Sequence, residues 1–383
     1  MASHDIKQKS VLLATRPLSP PWDEASKNFA HDLARFSRRV DMSIMVNDSN
    51  SDMPSSVIQH PVYRDNFLSF SQKLRSLSFQ WTHRSAFDVV HYLFTPTRLN
   101  TALAQFINSC ARPRPKTVQT IATLREDLWS DDMLQKNCFA DALVAYTKHS
   151  QKKLASLGVA NTHVITPGID LSRYCPEKKD VEMLSTLGIP AENLVITFPG
   201  EYSRLGGVDH IIDAVEEVFR PGGLDREKTT FLLALRVKKE HGDEQKKKEV
   251  QQRLSRLGLE RCVLLTDTIR DMHKLYNLSD IILFPVLDMH GKFDVPLVIP
   301  EAYACEKPVV VSDLPTFREF TNPDICAIVQ TAQKEAIVEA ILDLAKNPQR
   351  RTVLGKNARS FCLEHFDIAQ TTEKYEDLYY SLS

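Results

Sequence analysis

The stretch from Met289 to Asp313, MHGKFDVPLVIPEAYACEKPVVVSD, sets one glutamate, Glu301, at the head of a run of small residues that closes on Lys307 and Pro308. Proline lacks an N–H and is tolerated only in the first turn of a helix, so Pro296 and Pro300 place the helix start near Leu297, with Glu301 about one turn inside. The unpaired first amides and the macrodipole make such a start an anion site. A carboxylate beside that site would repel a second anion and suits a polar, uncharged group such as a ribose diol. Phosphate at the amides and hydroxyls at Glu301 together describe a nucleotide. The alternative is that Glu301 only complements the dipole of its own helix.

Composition narrows the chemistry around that nucleotide. A formal net charge of −1 gives no global field to recruit nucleic acid or an anionic membrane. The seven cysteines never pair as Cys-x-x-Cys, which argues against a disulfide framework and a structural zinc site, and points to a reducing cytoplasm. The apolar run Val11 to Ala14 is too short for a signal peptide or a membrane span. No Asp-x-Asp pair occurs, so a metal clamp on a diphosphate is not expected. Without a Gly-x-Gly-x-x-Gly run, nicotinamide or flavin chemistry is not expected either, and the expected cofactor set is empty.

The elements that must hold these residues follow an alternating rhythm. Short β-branched runs fall near residues 10, 42, 87, 117, 142 and 162, with helical spacing between most of them, as in 25–36 and 98–107. The second half repeats the pattern with LVITFPG, TTFLLAL, RCVLL, DIILFP, PVVVS and ICAIV. A chain of 383 residues exceeds one growing core, so two α/β domains with parallel sheets are expected, joined around TPGIDLSRYCPEKKD, residues 166–180. The run KKEHGDEQKKKE, 238–249, alternates in sign and reads as a solvated helix face. Phe67, Phe70, Leu74, Leu77 and Trp81, with Lys73, Arg75 and Arg84 alongside, read as a core-facing helix, the alternative being one that rests on a membrane holding a lipid acceptor.

The segment PLVIPEAYACEKPVVVSD resembles the donor-site signature of glycosyltransferase family 4, Glu-Gly-Phe-Gly-Leu followed by Glu-Ala-Met-Ala-Cys-Gly-Lys-Pro-Val-Val. VITPGIDLSRYCP, ITFPGEYSRLGGVDHIIDAV and DIILFPVLD resemble further segments of that family in the same order, and the match spans roughly residues 160 to 321. The resemblance implies the GT-B architecture, two Rossmann-like domains facing across a cleft: 1–166 on the acceptor side, 167–360 holding a nucleotide sugar, and 361–383 as a C-terminal helix packing back on the first domain. It also implies transfer of a sugar from a nucleoside diphosphate donor to a hydroxyl, with retention at the anomeric carbon and without a metal.

By that resemblance Glu301 would meet the ribose, and Gly200, Gly206, Gly207, Pro296 and Leu297 would line the donor site. Phe293 stands where the first signature glutamate belongs, and Asp294 beside it is the candidate to contact the sugar. Glu201 and Gly206 occupy the places of the usual arginine and lysine, which leaves Arg204 as the nearby base. A breaking sugar–phosphate bond places negative charge on the diphosphate, so cations must come from elsewhere. The strand end Arg236-Val237-Lys238 offers two, pointing to one side of an extended chain at the end of a strand that borders such a crevice. A branch of the family combines this strand end with a Gly-Gly loop and a Lys-x-Asp-x-Pro-Leu stretch, here Lys292 to Leu297.

On the acceptor side, Trp22 is a candidate to stack on a sugar ring and Asp23 or Glu24 to take a proton from the attacking hydroxyl, with helix capping the alternative for Asp23. His91 either lines the cleft or is a satisfied core histidine. The expected partners are a nucleotide sugar and a glycan, lipid-linked or small-molecule acceptor, without nucleic acid. A rival expectation is a sugar-nucleotide-binding pseudoenzyme that kept the fold and lost turnover.

Overall fold

The computed structural model describes residues 8–382 apart from 21, 23, 49–51, 67–68, 95, 238–241 and 332. The chain divides into two compact units. Unit 1 is Met1–Asp170, Gly291–Val295 and Phe366–Ser383, and unit 2 is Leu171–His290 and Pro296–His365.

Unit 1 holds strands β1 (Ser10–Ala14), β2 (Asp41–Val46), β3 (Ile58–Pro61), β4 (Val89–Tyr92), β5 (Lys116–Ile121), β6 (Ala142–Ala145) and β7 (Thr162–Val164). Its helices are α1 (Ala25–Phe36), α2 (Phe70–Thr82), α3 (Arg98–Ser109), α4 (Asp131–Asn137), α5 (Lys148–Ser156) and, from the chain end, α13 (Ile368–Ser381). The strands form one sheet in the order β3-β2-β1-β4-β5-β6-β7, parallel throughout. Both faces of such a sheet are covered, which is why its inner strands read as continuous apolar runs rather than alternating ones. β3 escaped the sequence reading because it is a half-exposed edge strand ending in Pro61, where a missing N–H is tolerated.

α13 closes against α1, and the Glu376 Oε1 accepts from the Ser37 hydroxyl at 2.9 Å and from the Arg38 and Arg39 amides at 2.8 Å each. The segment 291–295, which the sequence reading put in the second domain, is stitched into unit 1: the Asp294 N–H donates to the Ala122 carbonyl at 2.9 Å, and the Thr123 hydroxyl donates to the Lys292 carbonyl at 2.5 Å.

The apolar stripe of α2 does not face the core as expected. Gln72 is the buried residue of this helix, while Phe70, Leu74 and Trp81 are exposed. Hydrogen bonding decides the orientation, because the Gln72 side chain accepts from the Arg64 amide at 3.0 Å and donates to Asp65 at 2.9 Å, which satisfies it inside. Phe67 lies outside the described residues.

Unit 2 holds β8 (Leu194–Glu201), β9 (Thr229–Arg236), β10 (Val263–Thr266), β11 (Ile281–Phe284), β12 (Val309–Ser312) and β13 (Ala327–Val329). Its helices are α6 (Val181–Leu187), α7 (Gly207–Val218), α8 (Asp243–Arg256), α9 (Met272–Leu278), α10 (Val298–Ala304), α11 (Lys334–Lys346) and α12 (Pro348–His365). The parallel sheet runs β10-β9-β8-β11-β12-β13. α7 buries Val208, Ile211, Ile212, Val215 and Val218 against this sheet, each such side chain contributing about 1.5–3 kcal/mol relative to exposure. Both sheets therefore follow the doubly wound order 3-2-1-4-5-6, with β7 added to the first. The order in which strands are added reverses between β1 and β4 and between β8 and β11, and ligand crevices of such sheets lie at the carboxyl ends of the strands at those points.

Candidate active site

In unit 2 the carboxyl end of β8 is Gly200-Glu201, and its neighbour β9 ends in Arg236, paired in register with Glu201. Glu201 is almost fully buried, and its carboxylate holds two guanidinium groups. Arg204 reaches it through Nε at 2.7 Å to Oε2 and Nη2 at 3.1 Å to Oε1, while Arg236 places Nη2 2.5 Å from Oε1. Glu201 stands where the resemblance places a base. In the structure it is the residue that fixes the bases that remain, and the signals for it were the Glu-x-x-Arg spacing and the alignment of two strand ends. Lys238 lies outside the described residues.

The loop after β8 turns sharply into α7. Gly206 adopts a left-handed conformation with φ 63°, and a Cβ there would lie 2.4 Å from Cδ1 of Leu287, so only glycine fits without movement. Leu287, beyond β11, donates its N–H to the Leu205 carbonyl at 2.9 Å, which ties the two loops beside the reversal point. Gly200 and Gly207 pack on the ring of Phe198, and a Cβ on Gly207 would meet its Cζ at 2.9 Å. The first amides of α7 have no side-chain cap, so the loop presents N–H groups next to the Glu201 cluster.

α10 begins after Leu297, as the two prolines required. The Ile299 N–H donates to the Pro296 carbonyl and the Glu301 N–H to that of Leu297, whereas Leu297 and Val298 have no backbone acceptor for theirs among the described residues. Glu301 is buried, and its Oε2 accepts from the Tyr276 hydroxyl at 2.7 Å. Burial, then the Glu301 charge, raises the Tyr276 hydroxyl well above its ordinary value, so this phenol is a permanent donor. Lys292 and Asp294 belong to unit 1 rather than to this cluster. The Asp294 carboxylate is buried and accepts from the Ser150 hydroxyl and from the Leu124 amide at 3.4 Å, the arrangement of a clamp on its own segment rather than of a group open to a sugar.

Unit 1 has a cavity of about 320 Å³ where β1, β4 and β5 end, lined by Arg16, Lys73, Gln80, Tyr92, Asn100 and Phe293 among others. Glu24 reaches it only through an ion pair with Arg16. Trp22 is not in its wall. That ring leans on His31, with centroids 4.4 Å apart, under the Lys27 ammonium at 5.7 Å. Asp23 lies outside the described residues. His91 is a core residue and not a cleft residue: none of it is exposed, its Nδ1 lies 2.7 Å from the Tyr379 hydroxyl and its Nε2 2.8 Å from that of Thr120, and burial pushes it down to about 3. The described residues contain no group of three or more His, Cys, Asp or Glu that could hold a metal ion.

Residues 193–347 match the family described as glycosyl transferases group 1. This segment, rather than the whole chain, carries the likeness to group 1 glycosyltransferases. The matched residues contain the Glu201 cluster, the Gly206-Gly207 turn and Glu301, and they include three of the four segments that resemble family 4, VITPGIDLSRYCP lying before them. A D-inositol 3-phosphate glycosyltransferase of Saccharomonospora viridis is 26% identical over 63% of this chain and 55% of its own length. An alpha-maltose-1-phosphate synthase of Mycolicibacterium smegmatis is 23% identical over 64% of each chain. This chain thus spans between half and two thirds of the length of these curated relatives. Among solved structures, Anabaena HepE in complex with UDP and glucose superposes with a TM-score of 0.78 over 98% of this chain and all of its own, at 18% identity. Sucrose-phosphate synthase from Thermosynechococcus elongatus gives 0.77 over 98% of this chain and 99% of its own, at 15% identity. The fold is that of the GT-B glycosyltransferases, each unit being one of its two parallel-sheet domains.

Proposed function

We propose that this protein moves a sugar from a nucleoside diphosphate sugar to a hydroxyl acceptor, with retention at the anomeric carbon. The observation that carries the reading is the pair of arginines, Arg204 and Arg236, fixed by Glu201 beside the uncapped amides of α7 in a group 1 glycosyltransferase domain. When the sugar–oxygen bond of the donor breaks, its electron pair goes to the leaving diphosphate, and preorganised cations and amides stabilise that charge without reorganising. In a retaining route the acceptor hydroxyl attacks from the same face and passes its proton to the departing phosphate oxygen, so no protein nucleophile is needed. Glu301, aligned by Tyr276, would accept from the ribose hydroxyls. The solved HepE complexes contain UDP, which supports a uridine nucleotide as the first donor to try. The cavity of unit 1 is the place we assign to the acceptor.

A second reading, nucleotide-sugar binding without turnover, is favoured by one feature. The Glu201 carboxylate cancels part of the positive charge that a leaving diphosphate needs. Purified protein incubated with UDP-, GDP- and ADP-sugars, followed for thermal shift and for nucleotide release with and without hydroxyl acceptors, separates the two. Release with one donor supports transfer, and a shift without release supports the binding protein. Neither response with any donor would remove both.

A further inference from the structure

The outward face of α2 and α3 in unit 1 carries an apolar stripe that the core does not use. Spacings of four, three and four residues put Phe70, Leu74, Leu77 and Trp81 on one side of α2, opposite the side on which Gln72 is buried. Phe70 is 75% exposed, and Leu74 and Trp81 are exposed as well. α3 adds Leu99, 66% exposed, and Phe106. The Trp81 and Phe106 rings stack at 5.8 Å with 6° between their planes, so the two helices share one surface. The Arg84 guanidinium sits 4.6 Å from the centre of the Trp81 ring.

Charge on this face is one-sided. Between Phe70 and Lys116 the sequence has seven Lys or Arg against a single acidic residue, Asp88, although the whole chain carries −1. Asp88 is engaged with Ser10, through its amide and its hydroxyl at 2.9 Å each. Neither α2 nor α3 contains an acidic residue, and Lys73, Arg75 and Arg98 have no ion-pair partner among the described residues. An exposed apolar stripe with aromatic side chains, bordered by bases and free of acids, complements one kind of surface: an anionic bilayer, where rings enter the acyl boundary and bases meet the headgroups.

We propose that this face docks on an anionic membrane surface. The same helices wall the unit 1 cavity through Lys73, Leu77, Gln80, Thr97 and Asn100, so docking would deliver a bilayer-borne hydroxyl compound to the place assigned to the acceptor. The docking itself stands on unit 1 alone. It does not depend on the transfer chemistry, and a failure to bind membranes would leave that chemistry untouched.

The test uses the full chain with Trp22→Phe and Trp129→Phe, which leaves Trp81 as the sole tryptophan, mixed with vesicles of phosphatidylcholine alone or with phosphatidylglycerol. The expected result is a blue shift of Trp81 emission and co-sedimentation with the anionic vesicles only, weakened by salt. A Lys73→Glu, Arg75→Glu, Arg98→Glu variant should lose about a hundredfold or more in partitioning, since each base near an anionic surface brings roughly fivefold. Phe70→Ser with Leu74→Ser should weaken it independently, and near-UV circular dichroism reports whether each variant is folded. If the serine variant does not fold, the exposed charge reversals carry the test. Equal binding to neutral vesicles, undiminished binding of the folded charge-reversed protein, or no binding at all would overturn the proposal. So would a dimer abolished by the serine changes together with no vesicle binding, which would identify a second copy as the occupant.

Discussion

At the scale of single residues, the proposed transfer gives the buried glutamate that holds two arginines an expected effect opposite to the one its charge suggests. Arg236→Ala should lower kcat/KM for the donor about 10- to 150-fold, the loss expected when a charge-assisted bond worth about 1.5–3 kcal/mol is removed. Glu201→Ala adds net positive charge, yet it should lower kcat/KM at least as far, because Arg204 and Arg236 lose the group that positions them. A faster Glu201→Ala enzyme would show that charge alone matters and would remove the positioning role. His91 supplies a test of stability rather than rate. Its folded value near 3 lies below the ordinary 6.5, so the unfolded chain binds the extra proton. The contribution is fully present above about pH 6.5 and is lost as pH falls from there towards 3. Denaturant unfolding between pH 7 and pH 4 should therefore show a steeper loss of stability for the natural protein than for His91→Leu.

At the scale of elements, what was legible in sequence is what depends on local pattern. The β-branched runs marked every inner strand of both sheets, because strands covered on two faces must be apolar throughout, and Pro296 with Pro300 fixed the start of α10. Two elements misled for a physical reason. β3 is an edge strand that needs little apolar character, and the orientation of α2 is set by Gln72 rather than by its apolar stripe. The role of Glu201 was equally hidden, since it requires knowing which strands are neighbours. The loop joining β8 to α7 makes the sharpest prediction at this scale. Gly206→Ala combines a left-handed φ with a clash against Leu287, and should cost about 1–3 kcal/mol, read as a lowered denaturation midpoint, together with weaker nucleotide binding. Unchanged stability and affinity would mean that the loop yields easily.

At the scale of the whole molecule, the doubly wound class and the two-domain division could be read from alternation and length, but the path of the chain could not. Segment 291–295 joins unit 1 through hydrogen bonds between residues about 170 positions apart, which no local pattern records. α13 buries Ile368, Tyr375, Leu378 and Tyr379, and Glu376 receives three hydrogen bonds from the end of α1. Removal of residues 366–383 should accordingly expose amides of β1, β4 and β5 to hydrogen exchange while those of β8 and β9 stay protected, and uniform protection would refute this. The same path dictates an order of events during synthesis. Unit 1 cannot be finished until unit 2 has been translated, since its closing helix, α13, follows unit 2 along the chain. Until then its earlier strands wait on an incomplete scaffold, in need of shielding by chaperones.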